Sequence, residues 1–142
     1  MKIYILLATV FCYLGYSVYM DKINTPEIRS FYQNTINNLF LEYEPEIVNV
    51  TDKDQVITNY LFIKPENLTF SKFQILNDKI KRRGWVQIKS DNEYYQYCFE
   101  NKYFMKIVFP DGFLYKNNPD QSKDKVWVDL TYTKGGVSTC TK

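Results

Sequence analysis

The stretch from Trp85 to Cys140 constrains the fold of this chain more than any other feature. Apolar and polar residues alternate along it in four short runs, which are separated by turn-forming residues such as Pro110-Asp111-Gly112. Alternation with a period of two is typical of strands that bury one face. The stretch therefore predicts an antiparallel meander that forms most of a sheet.

Two segments that precede the meander have apolar residues at helical spacing. The first follows a helix-initiating sequence at residues 25–27 and ends at Pro45, and the second begins at Asn67 or Thr69 and ends at Gly84. The apolar stripes consist of Ile28, Phe31, Tyr32, Ile36, Leu39, Phe40 and Tyr43 in the first helix, and of Phe70, Phe73, Leu76 and Ile80 in the second. Each helix can therefore cover a sheet with one of its faces.

The segment between these helices contains further strand-forming residues. Gln55–Lys64 is rich in β-branched and aromatic residues on both alternating faces, which indicates a strand covered on two sides. Ile47–Val50 predicts a shorter strand before it. The chain is thus predicted to be an α+β protein, with an antiparallel sheet of four to five strands and two helices packed on one face.

The N-terminal segment is apolar. Met1-Lys2 is followed by eighteen residues without a charge, from Ile3 to Met20. One basic residue before an apolar core is the layout of a signal peptide or a signal anchor. We expect residues 1–20 to export a single globular domain of residues 21–142. That domain is either tethered to the membrane through residues 3–20 or released by cleavage, in the periplasm or outside the cell.

The cysteines fit an exported domain. An oxidising compartment lets Cys98 and Cys140 form a disulfide bond, and Cys12 stays in the export segment. Asn49 and Asn67 each begin an N-x-[ST] glycosylation acceptor, which applies only if the source is eukaryotic.

Composition excludes several classes of function. Histidine is absent from all 142 residues, which excludes a Ser-His-Asp or Cys-His triad and a His-ligated zinc site within the chain. The formal net charge is +2, and without residues 1–20, whose only charge is Lys2, it is 17 minus 16, or +1. Such a domain lacks the broad basic surface of a nucleic-acid-binding protein. We therefore predict no nucleic-acid partner, no cofactor and no metal.

The alternation divides the meander into two faces. One face, to which Val86 belongs, is apolar throughout and is expected to pack beneath the helices. The outer face includes Cys98 and mixes polar residues with four aromatic ones: Trp85, Tyr94, Phe104 and Trp127. Either the tail after Gly135-Gly136 folds back across this face, or the rings stay exposed as a binding surface.

These features favour a small non-enzymatic protein that acts through protein–protein contacts, such as an inhibitor, an immunity-type protein or an accessory protein of the cell envelope. One alternative is a carbohydrate-binding protein or a carboxylate-dependent glycan hydrolase, in which Asp129 acts with Asp91 or Glu93. Another is a structural, membrane-tethered subunit of an envelope complex. The predicted partner is a protein, and the four outer aromatic residues are the predicted contact site.

Overall fold

A computed structural model describes residues 26–53, 56–91, 94–110 and 125–140. The helices and strands in chain order are α1 (26–39), β1 (Glu46–Lys53), β2 (Val56–Ile63), α2 (Phe70–Arg82), β3 (Val86–Ser90), β4 (Tyr94–Phe99), β5 (Tyr103–Val108) and β6 (Val126–Thr133). The predicted export segment, residues 1–20, lies outside the described residues and stays a prediction. Neither of the two described helices is long and apolar enough to cross a bilayer.

Helix α1 buries the predicted apolar stripe, since Ile28, Tyr32, Ile36 and Leu39 are all buried. The helix is followed by a 3-10 turn at Leu41–Tyr43 and by Glu44 in the left-handed conformation, with φ of 52°. Pro45 comes next, and its ring prevents the helix from resuming. The predicted end of this helix is therefore confirmed.

Helix α2 begins and ends at residues that the sequence indicates. Thr69 is the N-cap, because its hydroxyl oxygen accepts a hydrogen bond from the Lys72 amide at 3.4 Å. Asn67, the other predicted cap, instead donates from its side chain to the Tyr43 carbonyl at 3.2 Å. The helix ends at Arg82 and is followed by Gly84, whose φ of +89° is a conformation that glycine adopts at little cost.

The sheet has six antiparallel strands in the order β1-β2-β6-β5-β4-β3, so the prediction of four to five strands is too low. Strands β3 to β6 form the predicted meander, and β2 pairs along the other side of β6. Strand β1 is longer than the predicted 47–50, because it pairs with β2 from Glu46 to Lys53. A long-range pairing, between β2 and β6, thus joins a hairpin to the meander.

One core lies between the helices and the inner face of the sheet. Helix α1 contributes Tyr32 and Leu39, α2 contributes Phe73 and Leu76, and the central strand β6 contributes Val128, among other residues. Burial of this apolar surface is the main driving force for the fold. Both described helices pack on the same face, as predicted, which leaves the outer face of the sheet without a described helix.

Candidate functional site

The outer face of the sheet consists of three rows of side chains that run across the strands. Directly paired residues on neighbouring strands point to the same face, so the register defines each row. The aromatic row is Glu46, Phe62, Trp127, Val108 and Tyr94; the charged row is Val48, Tyr60, Asp129, Lys106, Gln96 and Lys89; the disulfide row is Thr58, Thr131, Phe104, Cys98 and Val86. These rows are the framework of the candidate site.

Two of the four predicted contact residues, Tyr94 and Trp127, lie together in the aromatic row. They pack on opposite sides of Val108, and their exposed fractions are 9% and 8%. Tyr60 and Phe62 pack against them, with the Tyr60 and Trp127 rings 5.4 Å apart in an edge-to-face contact. The aromatic row and the neighbouring Tyr60 therefore form a small second core on the outer face, in which Tyr60 and Phe62 are partly exposed.

Phe104 also lies on the outer face, but at the other end of β5. It is partly exposed and pairs directly with Cys98. It lies four positions before Val108 along β5, which corresponds to roughly 13 Å along a strand. Phe104 is therefore part of the predicted face without belonging to the cluster around Trp127.

The prediction that Trp85 lies on the outer face is wrong. Trp85 is only 3% exposed and belongs to the inner core, where its ring is 5.6 Å from that of Phe99, whereas Val86 is 64% exposed. The cause is a register shift between Gln87 and Lys89, where β3 carries a bulge. The extra residue of the bulge reverses which side chains face inward. Lys89, after the bulge, lies on the outer face as predicted, whereas Trp85, before the bulge, lies on the inner face.

Trp85 lines a half-open cavity of about 170 Å³ on the helix side of the sheet. Phe31, Asn34 and Asn38 of α1 line it from one side, and Arg83 and Phe99 line it from the other. The rings of Phe31 and Trp85 are 6.1 Å apart. The predicted aromatic residues are thus divided between the two sides of the sheet.

The tail after β6 is held at one end of the outer face by the Cys98–Cys140 disulfide, whose Cα atoms are 5.7 Å apart. The Val137 amide donates to the Asn101 carbonyl at 2.8 Å, which ties the tail to the β4–β5 turn. Gly136 has a φ of +85°, and a Cβ atom at this position would lie only 3.2 Å from the same carbonyl oxygen. These contacts place the described tail at the Cys98 end of the sheet, roughly 13 Å along β4 from Tyr94.

The centre of the charged row is Asp129, which is directly opposite Lys106 on β5 and Tyr60 on β2. The Thr131 hydroxyl donates to Asp129 Oδ1 at 2.7 Å. The Lys106 ammonium instead lies over two aromatic rings, with its Nζ atom 5.8 Å from the Trp127 ring centre and 5.6 Å from that of Tyr94. Within the described residues, Asp129 and Lys106 therefore do not form a close ion pair.

Burial shifts both charges toward their neutral forms. It raises the pKa of Asp129 above its ordinary value, against the opposing effects of the Thr131 hydrogen bond and of Lys106. It lowers the pKa of Lys106, and the like charge of Lys89 lowers it further, while Asp129 acts in the opposite direction. Burial therefore disfavours the charged forms of Asp129 and Lys106, and groups with such shifted pKa values are more frequent at functional sites than elsewhere.

Asp129→Asn is expected to raise the free energy of unfolding at pH 7 and to leave it almost unchanged at pH 3. Because the pKa of Asp129 is higher in the folded state than in the unfolded state, stability falls as the pH rises from the unfolded pKa through the folded pKa. The asparagine removes this loss and keeps an oxygen for the Thr131 hydroxyl. Urea unfolding at both pH values measures the difference.

The control for this experiment is Asp78→Asn, which removes an exposed carboxylate from α2. Asp78→Asn should give no gain in the free energy of unfolding that is larger at pH 7 than at pH 3. An Asp129→Asn variant that is less stable than the wild type at pH 7 would contradict the account.

Two residues of the site escaped prediction, Tyr60 and Phe62, whereas the alternation along β5 places Lys106 on the outer face without indicating a role for it. Tyr60 and Phe62 belong to a strand that is correctly predicted to be covered on two sides, but its place beside β6 depends on long-range pairing. For Asp129 the sequence suggests only the role of a catalytic carboxylate. Of its suggested partners, Glu93 lies outside the described residues, and Asp91 is at the β3–β4 turn, where its amide donates to the Tyr94 carbonyl.

The part of the chain that the structure describes contains no group of three or more acidic or cysteine side chains that could hold a metal ion. The candidate site consists of aromatic and charged side chains on the outer face of the sheet. No protein-family model, curated protein or solved structure matches the chain.

Proposed function

We propose that the chain is a small exported binding protein that recognises another protein through the outer face of its sheet. The observation that carries this proposal is the mixed character of that face: it bears aromatic side chains and costly charges, and both described helices pack on the opposite side. A purely solvated sheet face normally has polar side chains only. Aromatic residues beside polar ones are typical of protein interfaces.

The size of the outer face suits a modest interface. Six strands at roughly 4.8 Å spacing span about 24 Å, and strands of five to eight residues are roughly 17–26 Å long. The flat area of roughly 500 Å² is smaller than the ~800 Å² that each partner buries in a typical stable complex. We expect contact to continue past the β1 edge, where Val48 is 39% exposed.

The disulfide supports an extracytoplasmic location. Structural disulfides persist in oxidising compartments, and the Cys98–Cys140 bond joins the sheet to the tail. The uncharged segment of residues 3–20 is the corresponding export signal. Export and protein binding together describe an inhibitor, an immunity-type protein or an envelope accessory protein.

Site-specific photo-crosslinking in the source organism tests the proposal. With p-benzoylphenylalanine in place of Phe62, we expect a discrete adduct with one protein, because position 62 lies on the outer face. The matched control is Ile75 on α2, which is 68% exposed but on the helix side. Equal adducts from both positions, or no adduct from position 62, would contradict the proposal.

A further inference from the structure

Two lysines of the charged row converge on one aromatic ring. The Nζ atoms of Lys89 and Lys106 are 5.2 Å and 5.6 Å from the centre of the Tyr94 ring. We infer that the row Lys89–Gln96–Lys106 binds the carboxylate of an aspartate or glutamate on the partner protein. This inference rests on the proposed function and specifies which chemistry the outer face recognises.

The register brings three donor side chains to one place. Lys89 pairs with Gln96, and Gln96 pairs with Lys106, so the three side chains lie side by side on β3, β4 and β5. Neighbouring strands are roughly 4.8 Å apart, which separates the two lysine backbones by about 10 Å. A carboxylate above Gln96 is within reach of both ammonium groups and of the amide donor between them.

The carboxylates that act on these lysines among the described residues are Asp91, on Lys89, and Asp129, on Lys106, and neither is the largest influence on the pKa of its lysine. Close ion pairs elsewhere in the described part of the chain include Lys79–Glu42 and Lys125–Glu46. Lys106 is also partly buried, and the positive charge of Lys89 further disfavours its ammonium form. A bound anion would relieve both the repulsion and the cost of burial.

The charge balance of the row favours an acidic group over a basic one. Within the row, Lys89 and Lys106 contribute two positive charges and Asp129 one negative charge. Asp91, just after β3, also acts on Lys89, so the attraction for a partner's carboxylate is greatest above Gln96, between the two ammonium groups. A positively charged group of the partner would have to bind to Asp129, where the neighbouring positive charge of Lys106 would repel it. In this arrangement Asp129 acts on Lys106 as a positioning residue, because its negative charge favours the ammonium form.

The cation–aromatic contacts hold the lysines ready for this role. The ammonium of Lys106 lies over both Tyr94 and Trp127, so its side chain is already ordered before an anion binds. Ordering a long side chain in advance lowers the entropy that binding must overcome. The aromatic row beside it then provides contact area for the apolar neighbours of the partner's acidic residue.

A set of three peptides tests the inference on the ¹⁵N-labelled full chain with its disulfide intact. The peptides have five residues, in which leucine alternates with glutamate, glutamine or lysine. We expect the glutamate peptide to shift the amide signals of Tyr94, Gln96 and Lys106. Its Kd should be about tenfold lower than that of the glutamine peptide, and raised salt should reduce the difference.

Variants locate the effect. Lys106→Met and, separately, Lys89→Met should each remove the preference for glutamate, and Lys89 is exposed, so its loss does not disturb the core. The control is Lys81→Met, which removes an exposed positive charge from α2 and should retain the preference. An unchanged preference in both row variants would overturn the inference.

The outcomes separate this inference from the proposed function. Equal binding of the glutamate and glutamine peptides would overturn the carboxylate site and leave the outer face as a binding surface. Tighter binding of the lysine peptide would overturn it by making Asp129 the recognised charge. If no peptide shifts these signals, the carboxylate site is also overturned, and the adduct at position 62 still decides the function independently.

Discussion

Replacing Cys98 and Cys140 together with alanine is expected to lower the free energy of unfolding by about 4 kcal/mol. The two cysteines are 42 residues apart in the sequence, and their bond restricts the unfolded chain over that whole distance. A loss of this size is a large share of the 5–15 kcal/mol that typically stabilises a domain. We expect the midpoint of thermal unfolding to fall by about 15 °C.

Urea unfolding of the double variant measures this loss, and reduction of the wild type should reproduce it. The matched control is Cys12→Ala, which removes the cysteine outside the bonded pair and should leave the unfolding free energy of the domain unchanged. A loss below about 1 kcal/mol would show that the backbone contacts of the tail, such as that between Val137 and Asn101, suffice without the bond.

Local chemistry predicts the elements of this fold well. The apolar stripes of both helices are buried as predicted, and the caps at Thr69 and Gly84 form with the expected geometry. Such features depend on residues within one or two turns of each other. The same is true of the meander, because β4 and β5 are joined by a short turn.

The candidate site was only half predictable, because it depends on two features with no local signature. Tyr60 reaches Asp129 only through the pairing of β2 with β6, whose residues are some seventy positions apart. The bulge in β3 likewise has no glycine or proline to mark it. Tyr94 and Trp127 lie on the outer face of the sheet as predicted, because their strands have regular registers. Trp85 does not lie there, because it precedes the bulge.

Because Trp85 lies in the inner core, truncation of its side chain is expected to lower stability strongly. Trp85→Ala should lower the free energy of unfolding by about 3–5 kcal/mol, the usual range when a buried tryptophan is truncated. The ring contacts Phe31 and Phe99, so its removal enlarges the cavity that these three residues line. Thermal and urea unfolding both measure the loss.

The neighbouring residue is the control. Val86 is 64% exposed on the outer side of β3, so Val86→Ala should change the free energy of unfolding by no more than about 0.5 kcal/mol. Simple alternation without a bulge predicts the reverse, with Val86 in the core and Trp85 exposed. A larger loss from Val86→Ala than from Trp85→Ala would therefore refute the bulge and return Trp85 to the outer face, where it would join the surface proposed to bind the partner.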